Sequence, residues 1–166
     1  MTMIHIRLPD GTVNEYASGI TCAEVITDAL GKKHGSLAAK VNGVEYDMAH
    51  SLNESCEVEG ILAESEDGLH ILRHSAAHLL AQAVMELYPG ALPTIGPAID
   101  RGFYYDFAME PIAEGDLKTI EKKMQELARR NLTVERVELD QASLREHFLD
   151  NPYKIEIIDD KLEAGD

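Results

Sequence analysis

Cysteine is nearly absent: Cys22 and Cys56 are the only two in 166 residues. Their spacing forms no metal knuckle. The opening MTMIHIRLPDG lacks the basic-then-apolar leader of an exported chain, so both are expected to be reduced thiols of a cytoplasmic protein. No apolar run approaches the roughly 20 residues that a membrane span requires. Positive charge is scarce too, with 15 Lys and Arg against 30 Asp and Glu and a net charge of −15. That balance argues against broad, non-specific nucleic-acid binding, which depends on neutralising phosphates. Internal repeats and low-complexity tracts are missing. What remains, 45% hydrophobic and 27% charged, is an ordinary globular composition long enough for one medium domain or two small ones.

The expected class is α+β. Residues 1–63 read as a small β-rich domain. Ile4, Ile6 and Leu8 alternate with polar residues, Pro9-Asp10-Gly11 makes a turn, and Thr12 to Tyr16 supplies a second strand. Thr21 and Glu24 fit a capping box at the start of a helix reaching about Leu30. Asn42-Gly43 joins a short hairpin, and Cys56 to Ile61 forms a last strand. That order is the order of a β-grasp fold. Glu64 to Gly68 is an acidic junction, and residues 64–166 form the second domain. Its expected elements are a helix from about Asp67 to Tyr88, a strand from Ile99 to Phe107 and a helix from Glu114 to Asn131. A strand over Leu132–Leu139, a short helix capped by Asp140, a strand from Tyr153 to Ile158 and an acidic tail follow.

The long helix carries His70, His74 and His78. At 100° per residue they fall together on the side opposite a stripe of Leu69, Leu72, Ala76, Leu79, Leu80, Ala83 and Leu87. Small residues flank them, which suits the floor of a cleft. Residues alone leave three readings open: helix histidines with local partners, a zinc site lacking its third ligand, or neutral imidazoles acting as a base near neutral pH. The helix Lys118 to Arg130 likewise reads either as a solvated face of i,i+3 and i,i+4 pairs (Lys118–Glu121, Lys122–Glu126, Glu126–Arg130) or as an RNA-facing patch.

Four segments together resemble one family. HIRLPDG with the β-grasp order resembles the N-terminal TGS domain of bacterial-type threonyl-tRNA synthetases. GLHILRHSAAHLLAQAV resembles the opening helix of their second domain, with its HSxxH pattern. The stretch from Ile95 to Asp106 resembles the IGPxIxxGFYYD signature, and Tyr153-Lys154 resembles a later segment. In that family the second domain proofreads, hydrolysing serine wrongly esterified to threonine tRNA. Serine differs by a single methyl group, worth only about 1–3 kcal/mol of discrimination in a pocket, so a second hydrolytic site is needed.

Carried over, the resemblance implies that His74 and His78 position or activate the attacking water and contact the terminal adenosine. It implies that Lys154 stabilises charge developing on the ester and that Tyr104 lines the pocket; His70 lies outside the family pattern and is expected to be structural. It implies mischarged tRNA as partner and no metal or cofactor for these residues. ATP, magnesium and zinc belong to the aminoacylation core of the full-length enzymes, which are homodimers through that core. The family's site is completed by a Cys-x-x-x-His segment expected beyond Asp166, so the domain reads as truncated and its proofreading site as half built. Two alternatives stand beside this: a non-catalytic TGS-containing module binding RNA or another partner, and a freestanding editing hydrolase, zinc-dependent in the related alanyl-editing proteins.

Overall fold

The chain opens with an antiparallel pair, β1 (Met3–Arg7) and β2 (Val13–Ala17), in a computed structural model that describes residues 2–132 and 134–164. Alternation does its expected work here: Ile4 and Ile6 point inward and their neighbours outward. β3 (Ile20–Thr21) leads into α1 (Cys22–Leu30) through the capping box. The Thr21 N–H donates to a Glu24 carboxylate oxygen at 2.9 Å, and the Glu24 N–H donates to Thr21 Oγ1 at 3.3 Å.

β4 (Ser36–Val41) and β5 (Val44–Tyr46) form the hairpin, with Asn42 and Gly43 at φ of 50° and 81°, as a type I′ turn requires. After β6 (Ser51–Leu52), β7 (Cys56–Leu62) enters the middle of the sheet beside β1, parallel to it, giving the order β2-β1-β7-β4-β5. The core beneath joins Ile4, Ile6, Val25, Ile26, Ala39, Leu52 and Val58 with both cysteines, which are free. Burial, with Cys56 nearby, pushes the Cys22 thiol up to about 11, so it stays protonated.

The chain divides into two units, Met1–Leu72 and Arg73–Asp166. α2 (Glu66–Leu87) begins within the first. Ser65 starts it: its hydroxyl donates to the Leu62 carbonyl at 2.7 Å and accepts the Gly68 N–H at 3.0 Å. Gly68 is pressed against the Leu62 carbonyl, where a Cβ would overlap the oxygen.

In the second unit α2 is followed by a ribbon over residues 92–108. β8 (Leu92–Pro93) pairs with β11 (Phe107–Ala108), and β9 (Ala98–Ile99) pairs with β10 (Gly102–Phe103). The expected single strand from Ile99 to Phe107 is therefore a folded-back hairpin, because the chain reverses at Asp100-Arg101 and pairs with its own preceding residues. Next come a 3-10 turn (Glu114–Asp116), α3 (Leu117–Arg129) and α4 (Gln141–His147). Asp140 caps α4 as expected, accepting the Ser143 N–H at 2.8 Å.

Two expected strands are absent. Residues 132 and 134–139 form no strand; Thr133 lies outside the described residues. A strand must satisfy its N–H and C=O groups on a neighbour, and none among the described residues pairs with this segment. Tyr153–Ile158 lies in a helix instead, α5 (Pro152–Ala164), which also takes up most of the acidic tail; Gly165 and Asp166 of that tail lie outside the described residues. Pro152 at its first position and the Asn151 side chain before it, accepting the Lys154 N–H at 3.2 Å, are a helix start. The second core joins Ala83, Val84, Ala91, Ile120 and Leu127. No helix among the described residues is long and apolar enough to cross a membrane.

Because the overlap at Gly68 is with backbone, a side chain cannot relieve it by turning away. Gly68→Ala is expected to lower stability by about 1–3 kcal/mol. Gly115→Ala, where a Cβ meets nothing, should stay within about 0.5 kcal/mol of the parent in urea denaturation.

Candidate functional site

The rotation of α2 about its axis decides where its histidines point. Ala77, Ala81, Ala83 and Val84 are its buried residues, whereas Leu69 and Leu72 are 40% and 42% exposed. The buried stripe is thus turned toward the histidine side of the helix relative to the leucine stripe expected from sequence. Of the expected stripe, Ala83 is buried and Leu79, Leu80 and Leu87 pack half-buried against the second core. His70, His74 and His78 remain exposed.

His74 and His78 meet directly. Their Nε2 atoms lie 3.0 Å apart, and the rings stand edge to face at 77° with centroids 4.6 Å apart. One Nε2–H donates and the other Nε2 accepts, so the contact holds a single proton and fixes opposite tautomers on the two rings. The donor ring keeps an unprotonated Nδ1, and the acceptor ring carries its proton there. Burial lowers the pKa of His78 first, although part of the residue meets solvent; the charges of His74 and Lys154 lower it further. Burial also lowers the pKa of Lys154.

Lys154, in the first turn of α5, is half-buried and acts on His78 through its charge. The structure therefore brings three of the four expected site residues into one neighbourhood. Tyr104 is 47% exposed, with no side-chain hydrogen bond or ring contact among the described residues. Its neighbour Tyr105 is the inward one, stacked on Phe107 at 4.9 Å and closed over Gly96 so tightly that a Cβ there would strike the ring. That close approach accounts for Gly96 in the Ile95–Asp106 stretch. Among the described residues no three His, Cys, Asp or Glu side chains are grouped to hold a metal ion. Asn151, which supports Lys154 from the preceding residue but two, was not singled out from sequence; the Asn-Pro pair before a helix was its signal.

α3 separates into two faces. Lys123 pairs with Glu86 at 2.9 Å, and Arg130 pairs with Glu86 at 3.3 Å and Glu126 at 2.5 Å. Glu126 takes Lys123, not the expected Lys122. Lys118, Lys122 and Arg129 face solvent without an ion-pair partner among the described residues, so the expected Lys118–Glu121 pair is also absent.

Comparison with known proteins finds relatives of these elements. The TGS domain model matches residues 4–61, the β-grasp sheet and α1. The threonine–tRNA ligase of Rubrobacter xylanophilus is 44% identical over 161 residues, covering 95% of this chain and 25% of that protein. Those of Francisella tularensis subsp. tularensis (strain WY96-3418) and subsp. novicida are each 45% identical over 163 residues with the same coverage. The chain is homologous to the N-terminal part of threonine–tRNA ligases. It spans about a quarter of the length of these relatives. A solved structure of ATBAG1 in complex with HSP70 aligns with a TM-score of only 0.34 at 15% identity, over 98% of this chain and 94% of that one, and supports no comparison.

The lowered pKa of His78 has a sign that can be tested. A cation at His74 opposes protonation of His78, so His74→Ala should move the His78 titration to higher pH in imidazole NMR. A histidine that binds its proton more weakly when folded loses stability as pH falls below its ordinary value of about 6.5. The midpoint of thermal unfolding should accordingly fall between neutral pH and about pH 5.5, and fall less in His78→Asn.

Proposed function

We propose that the second unit contributes to hydrolytic proofreading of threonine tRNA carrying serine, within a threonine–tRNA ligase, and takes no part in aminoacylation itself. The supporting observation is the His74–His78 contact at 3.0 Å with the Lys154 charge acting on it. An imidazole is available as a base only while uncharged, and burial, followed by the charges of His74 and Lys154, lowers the His78 pKa in that direction.

In this reading, water attacks the carbonyl carbon of the seryl ester while an unprotonated imidazole nitrogen accepts its proton. The Lys154 ammonium stabilises the negative oxygen of the tetrahedral intermediate. The intermediate then breaks its bond to the ribose oxygen, which leaves with the proton returned from the imidazolium, yielding serine and a free tRNA hydroxyl. Tyr104, exposed on the ribbon, is assigned to lining the pocket, and the TGS unit accompanies this site as a binding module. The chemistry requires no cofactor from these residues. The cytoplasm, where tRNA is charged, is the compartment this reading assigns.

A stable amide analogue of 3′-seryl adenosine tests the site without requiring turnover. NMR of the chain with the analogue should perturb His74, His78, Tyr104 and Lys154, with weaker binding of the threonyl analogue and at least about tenfold weaker binding in His78→Ala. Perturbations confined to other residues would remove the reading.

A second reading, a non-catalytic RNA-binding module, draws on the solvent face of α3. Lys118, Lys122 and Arg129 lie one to two turns apart on one side of the helix, free of the pairs that hold Lys123 and Arg130. On this reading tRNA affinity falls with rising salt, and reversal of all three to Glu weakens it and flattens the salt dependence by up to about three charges. Equal affinity of parent and variant in a filter-binding titration would exclude the surface.

A further inference from the structure

Asn151 sits between α4 and α5 and uses both ends of its side-chain amide. Nδ2 donates to the Pro93 carbonyl at 2.9 Å, and Oδ1 accepts the Lys154 N–H at 3.2 Å. Its backbone is fixed as well: the N–H donates to the Phe148 carbonyl at 2.8 Å, and its own carbonyl accepts from Lys154 and Ile155 at 3.1 and 3.2 Å. Pro93 belongs to β8, whose ribbon is continued by Thr94 and Ile95 bonding with Asp106 at 2.9 Å. One side chain therefore joins the first turn of α5 to the ribbon bearing Tyr104.

The choice of residue is informative. Serine or aspartate caps a helix about as well as asparagine. Neither offers a donor and an acceptor in one rigid plane: aspartate has no donor, and a serine hydroxyl is too short to span the two partners. The capping requirement alone leaves Asn151 underdetermined; capping plus the bond to Pro93 selects an amide.

We infer that Asn151 is a positioning residue, tying the first turn of α5, and with it Lys154, to the β8 ribbon. The consequence for ester hydrolysis rests on the function proposed above; the placement of Lys154 does not. The charged groups acting on His78 are His74 from its own helix and Lys154 from α5, alongside burial of the ring. Removing Lys154, or letting its turn of helix detach, takes away one of the causes that lower the His78 pKa.

The experiment is an imidazole NMR titration of the 166-residue chain, with Asn151→Ala, Asn151→Ser, Lys154→Met and the double variant Asn151→Ala/Lys154→Met. Asn151→Ala and Lys154→Met should each shift the His78 titration to higher pH, and the double variant should shift no further than Lys154→Met alone. Asn151→Ser keeps a helix cap while losing the bond to Pro93, so an upward shift there isolates the tie from helix formation; it also decides the matter if Asn151→Ala fails to fold. An unmoved His78 in the folded Asn151 variants, with Lys154→Met shifting it, overturns the inference. Absence of seryl-analogue binding with this coupling intact would refute the ester-site reading alone. Where both hold, Asn151→Ala should slow hydrolysis of the seryl ester roughly tenfold to a hundredfold in the full-length ligase.

Discussion

The burial of Ala77, Ala81, Ala83 and Val84 fixes the rotation of α2, and the direction of every other side chain on that helix follows from it. Residues four apart lie one above the other on a helix. Once Ala77 and Ala81 face inward, His74 and His78 must share a neighbouring face, and their ring nitrogens come within 3.0 Å of each other. Small residues suit this role because they bring the backbone close to whatever packs on it and leave room for ring-bearing residues on the adjoining face. A larger residue at Ala77 would turn or lift the helix, and the pair would lose its register without either histidine being touched.

Beside its apolar core, the second unit is tied by polar contacts between helices. Glu86, on α2, receives both Lys123 and Arg130 from α3 and its C-terminus, and these cations lower its pKa, the Lys123 hydrogen bond foremost. Arg145 of α4 pairs with Asp159 of α5. Exposed ion pairs of this kind contribute little individually, about 0–1 kcal/mol. They also sort the cations of α3. Lys123 and Arg130 are committed within the fold, and Lys118, Lys122 and Arg129 are left to solvent.

The first unit was legible from sequence because each of its features is local. A capping box, an Asn-Gly turn and strict alternation in β1 each name their own structure within four or five residues. The second unit depends on contacts distant in sequence, and there local pattern misleads. Tyr153 to Ile158 fits a strand by the alternation of Ile155 and Ile157 and fits a helix by the spacing of Ile155 and Ile158. Asn151 and Pro152 decide between them, the proline by taking the first helical position. Leu132 and residues 134–139 have strand-like side chains without a neighbour to pair with among the described residues. At the site, helical spacing was enough to bring His74 and His78 together, whereas the approach of Lys154 required the ribbon and α5 to meet.

A net charge of −15 would, spread through a uniform medium, favour protonation of every histidine in the chain. The His78 ring shows the opposite tendency, and the length scale of screening explains why. At physiological ionic strength charges farther than about 8 Å are largely screened, so the acidic surface as a whole has little hold on a given imidazole. Burial, a second imidazole in hydrogen-bond contact and the charge of Lys154 lower the pKa of His78 all the same. The same reasoning governs any polyanion approaching this molecule. Its distant acidic residues set a weak, salt-sensitive repulsion, while the local disposition of Lys118, Lys122, Arg129 and Lys154 determines where a phosphate or an ester oxygen finds a favourable field.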